Sequence, residues 1–156
     1  MKLDFFTLYL VIVLVSVALA ATWASVALQH RGFAPARFWL IGSLATSSGG
    51  ALLPFQHSER FPLLLAATAN TLPVLGFWLF WIGTRKLHDA PSRLLPAAVA
   101  TIGCTILTMA FWQDPEALAL IYALGQSMPM ALCVMFLLRH HIKSPGTALA
   151  LAGLGV

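Results

Sequence analysis

Charge is what this chain has least of. Charged side chains make up 9% of its 156 residues, 60% are hydrophobic, and the mean hydropathy is +0.87. An ordinary soluble domain is about 25% charged. A domain of this size buries only about 70% of its unfolded surface, so folding in water would leave much apolar surface wet. No Asp, Glu, Lys, Arg or His lies deep in any of the first five apolar stretches. Proton- or ion-coupled transport needs an ionisable group inside the bundle, and its lack argues against a coupled exporter.

Cysteine is also scarce. Cys104 and Cys133 fall in separate apolar stretches with no metal-ligand neighbour at useful spacing, which excludes a disulfide framework and a cysteine metal site. They read as small apolar core residues. The five histidines, His30, His57, His88, His140 and His141, lie in loops or at helix ends. His140 and His141 are adjacent and point to different helix faces, so no haem or metal pair is expected. The chain has no Ser-His-Asp or Cys-His set, no paired carboxylates and no glycine-rich phosphate loop. No catalytic residue and no cofactor is predicted, and the missing basic stripe with interleaved aromatics argues against nucleic acid.

What is present is apolar sequence in regular lengths. The uncharged gaps Phe5–Gln29, Phe38–Gln56, Phe61–Thr84, Leu94–Gln113 and Ala117–Leu138 run 19 to 25 residues each. About 20 helical residues cross a 30 Å hydrocarbon core. The expected fold is all-α: a polytopic transmembrane helix bundle with five full spans and a partial sixth. The spans are placed at 5–29, 37–56, 61–84, 93–113, 116–139 and, incomplete, 145–156, within a single domain over 1–156. The last stretch is too short to span, as expected of a piece of a longer protein or of a half-inserted helix. A cleaved signal peptide ending near Ala18-Leu19-Ala20 is a rival for the N-terminus. Against it, Asp4 offsets Lys2 and the apolar run continues to Leu28.

Loops alternate sides, so the charges can be sorted. Arg31, Arg37, Arg85, Lys86, Arg93, Arg139 and Lys143 fall on one side, with only Lys2 and Arg60 on the other. This bias places the basic loops in the cytoplasm and the N-terminus outside, and locates the chain in a plasma membrane, multi-pass, with the lipid bilayer as its main partner. Asp114-Pro115-Glu116 reads as a helix start, with Pro91-Ser92 and Ser144-Pro145 as weaker repeats of that signal.

Within the spans, polar and small residues are patterned. Gly42, Thr46 and Gly50 recur every four residues and predict a tight helix-packing face, with Ser43, Ser47 and Ala51 in the adjacent row. Pro73 removes the hydrogen bond to the Ala69 carbonyl, so its helix should bend. Asn70 sits beside that break, where it bridges helices, contacts a small ligand or lipid headgroup, or faces the membrane interface. Gly125-Gln126-Ser127-Met128-Pro129 repeats the theme. Asn70, Pro73 and Gln126 are therefore the candidate ligand-binding or switch residues.

A further set of features forms a recognisable order: Leu3-Asp4, the basic stretch Arg31 to Arg37, Trp39, Gly42, Gly49-Gly50, Pro54, Ala69-Asn70, Leu72, Leu75-Gly76, Trp81, Gly83 and Arg85. Over about the first 100 residues this resembles the N-terminal seven-helix membrane sensor region of bacterial diguanylate cyclases, the enzymes with a GGDEF motif. Leu87 departs from that pattern, which commonly has Phe there. The resemblance implies a sensory input module in the inner membrane, working in cyclic di-GMP signalling as a homo-oligomer or ahead of a cytoplasmic signalling domain. No GGDEF sequence occurs in this chain. The alternatives are a small integral membrane transporter and a structural membrane subunit.

Overall fold

Proline and aspartate punctuate the chain where its helices begin. In the computed structural model, which describes residues 5–52, 55 and 62–141, there are five helices and no strand among the described residues. They are α1 (Phe5–Gln29), α2 (Ala34–Leu52), α3 (Pro62–Leu87), α4 (Leu94–Ala110) and α5 (Pro115–His141). Pro62 and Pro115 each occupy the first helical position, where a missing N–H costs nothing. Asp114 caps α5: its Oδ1 accepts from the Glu116 N–H at 3.0 Å and the Ala117 N–H at 3.1 Å.

The start of α4 differs from expectation. Arg93 holds the flanking position and makes no side-chain cap, and Ser92 lies one residue too early to reach the free N–H groups. α4 accordingly covers 17 residues, not 21, and its end is set by the turn at Phe111. α2 begins earlier than expected, its first turn formed by Ala34 and Pro35. The stretches 145–156 and His57–Arg60 lie outside the described residues.

α3 stops by a backbone device. Asp89 adopts a left-handed φ of 53°. The Ala90 N–H reaches the Arg85 carbonyl at 3.0 Å and the Asp89 N–H reaches Lys86 at 3.2 Å. These are the two bonds of a Schellman close, which satisfies the last free carbonyls of the helix.

The helix order in space follows from the contacts. Among the described helices, α3 touches α2, α4 and α5, whereas α1 touches only α2. Trp39, Gly42 and Gly49 of α2 meet Gly83, Gly76 and Pro73 of α3 in descending order, so the two run antiparallel. α5 runs parallel to α3, because Gly125 meets Val74 and Cys133 meets Thr84. These directions bring Arg37, Arg85, Lys86, Arg93 and Arg139 to one end of the bundle, and Asp114 and Glu116 to the other. The core is Val74, Trp78, Trp81 and Ile82 of α3 with Ala97 and Cys104 of α4 and Cys133 of α5.

Of the five spans expected, α3 (Leu63–Leu87) and α5 (Pro115–Arg139) are long and apolar enough to cross a membrane, each with mean hydropathy 1.7. α4 and the Leu14–Gln29 part of α1 are apolar but shorter. α2 carries Gly42, Ser43, Thr46, Ser47, Ser48, Gly49 and Gly50, which lower its hydropathy.

Candidate functional site

The chemistry of the bundle collects around the break in α3. Pro73 is fully buried. Its ring and the Ala69 carbonyl that it leaves without a helical N–H both lie against Gly49 of α2. A Cβ on Gly49 would collide with the proline ring and come within 3.1 Å of that carbonyl. The proline ring therefore needs glycine opposite it.

One turn further along, a Cβ on Gly42 would lie 2.9 Å from the Gly76 carbonyl, and one on Gly76 would lie 2.7 Å from the Gly42 carbonyl. Backbone meets backbone at this crossing. The Thr46 hydroxyl turns inward on its own helix and donates to Gly42 O at 2.9 Å, although a Cβ on Gly76 would collide with its oxygen. Near the basic end, the Trp39 indole N–H donates to Phe80 O at 3.2 Å, over the surface that Gly83 leaves open.

Gly42 and Thr46 thus lie on the seam, but Gly50 does not. Nothing stands within 4 Å of a Cβ at Gly50, and Gly49 takes the third place. At 100° per residue, eight residues carry the chain about 80° past Gly42, while seven return it to within about 20°. A straight seam follows alternating steps of three and four. Gly42, Thr46 and Gly49 make those steps, as do Ala69, Pro73, Gly76, Phe80 and Gly83 on α3. That periodicity is the signal a strict four-residue reading passes over.

Asn70 is buried at 6% exposure, and its Nδ2 donates to Ala66 O at 2.7 Å in its own helix. It does not reach the carbonyl freed at Ala69. Its neighbour Thr71 bridges helices instead, with its Oγ1 3.0 Å from Thr105 Oγ1 of α4. Thr105 already donates its one proton to Thr101 O at 2.8 Å, so Thr71 is the donor in the bridge. Gln126 of α5 is half-buried, with its Nε2 shielded from solvent and unpartnered. Gly125 beside it packs on Val74, which places Pro129 level with residues 78 to 80 of α3, beyond Pro73 toward the basic end.

Arg85 was not among the expected site residues. Its guanidinium carbon lies 5.1 Å from the Trp81 ring centre and 5.4 Å from that of Phe136 on α5, and its Nε donates to Pro91 O at 3.1 Å. One cation thus ties α3, α5 and the turn before α4 together.

Hydroxyls, amides and indoles line the centre, so the arrangement can bend and can hydrogen-bond. Among the described residues no group of three or more His, Cys, Asp and Glu could hold a metal ion. Comparison of the chain with protein-family models, with characterised proteins and with solved structures finds no match.

Proposed function

We propose that the chain is a membrane-embedded input module of a signalling protein, with α1 to α5 crossing the bilayer, the N-terminus outside and the basic end in the cytoplasm. The membrane reading is supported by where the apolar and charged groups stand. Leu28 and Leu95 are 74% and 75% exposed, and Ile102 and Ile106 of α4 and Leu120 and Leu124 of α5 are exposed as well. In water such exposed apolar side chains would be unmatched; against lipid they are matched.

The observation that carries the functional reading is the place of α3. Every described helix except α1 packs on it, Pro73 breaks it, and it ends in Arg85 and Lys86. A change of bend at Pro73 moves Trp81 and Arg85 relative to α5, and with them the basic end of the bundle. Bistable packing of this kind converts a small shift into a discrete one. By the resemblance of its first 100 residues, the output is cyclic di-GMP synthesis by a cytoplasmic domain that follows or associates.

The test uses the native reading frame with its downstream segment. Asn70→Leu removes the side-chain bond to Ala66, and Pro73→Ala restores the N–H that Ala69 lacks. Each is expected to shift the conformational balance by about 1–2 kcal/mol, changing cellular cyclic di-GMP severalfold while the protein stays in the membrane fraction. Unchanged output together with unchanged thermal stability in both variants would refute the switch.

A further inference from the structure

We propose that the α3–α5 interface, at the level of Pro129, is a binding site for a small neutral molecule with an acceptor oxygen, held by the Trp78 indole N–H and the Gln126 carboxamide. The site rests on the membrane reading above and adds to it a ligand class and a second residue.

Trp78 is 1% exposed, and its Nε1 finds no acceptor among the described residues; Gln126 Nε2 is likewise buried and unpartnered among them. A buried N–H left unpaired costs more than a made hydrogen bond returns, so two of them at one level of one interface need a reason. They lie at one level. α3 and α5 run parallel, and the contacts Val74 to Gly125 and Thr84 to Cys133 set an offset of 49 to 51 residues between them. Gln126 therefore lies level with residues 75 to 77 of α3, within a turn of Trp78. Along α5 it shares a row with Pro129, Cys133 and Leu137, all buried.

The surroundings select the ligand. Val74 belongs to the core here, with Ile121 and Leu132 packed against it, and the nearest cation on α3 is Arg85. A charged ligand would find no counter-charge and would carry its full desolvation cost. Two donors in an apolar wall instead suit a ketone, ester or amide oxygen on a lipid-soluble molecule. α4 and α5 touch least of the packed pairs, which leaves the wedge least closed on the side toward them.

The test titrates the full chain, ¹⁵N-labelled at tryptophan in lipid nanodiscs, with 2-undecanone and in parallel with undecane. The Trp78 indole resonance is assigned by Trp78→Phe. The ketone is expected to shift that resonance downfield and saturably, the alkane to leave it in place, and Gln126→Leu to weaken ketone binding about tenfold, the worth of one hydrogen bond. Equal responses to ketone and alkane, or unaltered affinity in Gln126→Leu, would overturn the site. So would a scalar coupling from the Trp78 N–H to the Gln126 carboxamide without ligand, because the two side chains would then satisfy each other. A chain that fails to partition into membranes would be seen before any titration and would remove the membrane reading instead.

Discussion

The face of α3 that meets α2 is built from Ala69, Pro73, Gly76 and Gly83, whereas the face that meets α4 and α5 is built from Val74, Trp78, Trp81 and Ile82. The two faces lie roughly opposite on one helix. On the first, backbones approach so closely that a single Cβ has no room. On the second, bulky rings fill the space between helices and Trp78 meets Trp81 edge-on at 5.3 Å. A close backbone seam is specific but unforgiving, because carbonyls and ring atoms on both sides cannot retreat. A packed aromatic wall can repack, since its atoms sit at the ends of rotatable side chains. The difference makes α2–α3 the rigid half of the bundle and α3–α5 the half able to move or to accept a guest.

The largest expected effect tests the seam. Gly76→Leu should cost about 1–3 kcal/mol or more, read as a drop in thermal midpoint in lipid or mild detergent. Gly50→Leu and Gly103→Leu, where nothing stands within 4 Å of the added Cβ, should leave the midpoint nearly in place. Equal losses for all three variants would erase the distinction between the two faces.

A middle effect tests the other face. Arg85→Ala removes the contacts to Trp81, Phe136 and Pro91 and should cost about 0.5–2 kcal/mol. Arg85→Lys, which keeps the charge without the planar stack, should recover only part of it. Full recovery with lysine would mean that charge at the basic end, and not ring stacking, holds α5 to α3.

The smallest effect tests the α3–α4 contact. The coupling between Thr71→Val and Thr105→Val in a double-mutant cycle should be about 0.6 kcal/mol, the average for hydrogen bonds between membrane helices. A coupling near zero would leave α4 held by apolar packing alone.

Much of this was legible in the residues. Asp114-Pro115-Glu116 announced the start of α5, since an N-cap is a local chemical fact that needs no partner. Pro73 and Pro129 announced, for the same reason, where α3 and α5 each lose one backbone donor, although both helices run on through their prolines. Other features depended on which neighbour is opposite. Steps of four and three along α2 point to Gly49 where a strict four-residue reading points to Gly50, about 100° away, and Pro73 of α3 stands opposite Gly49. Nothing local says that Asn70 turns back to Ala66 while Thr71 makes the bridge. Arg85 read as a topology-setting charge until Phe136, fifty-one residues later, came to lie beside it.

By itself the sequence determined the helical class, the apolar lengths, the separation of charge from apolar sequence and the positions of the breaks. Each follows from backbone chemistry or from transfer of side chains out of water, which act residue by residue. Tertiary structure alone decided that α3 is the hub, that its two faces differ, that Gly49 and Gly76 carry the seam, and that Trp78 and Gln126 share a level. Those depend on close packing between segments distant in the chain, where a rotation of tens of degrees about a helix axis exchanges one neighbour for another.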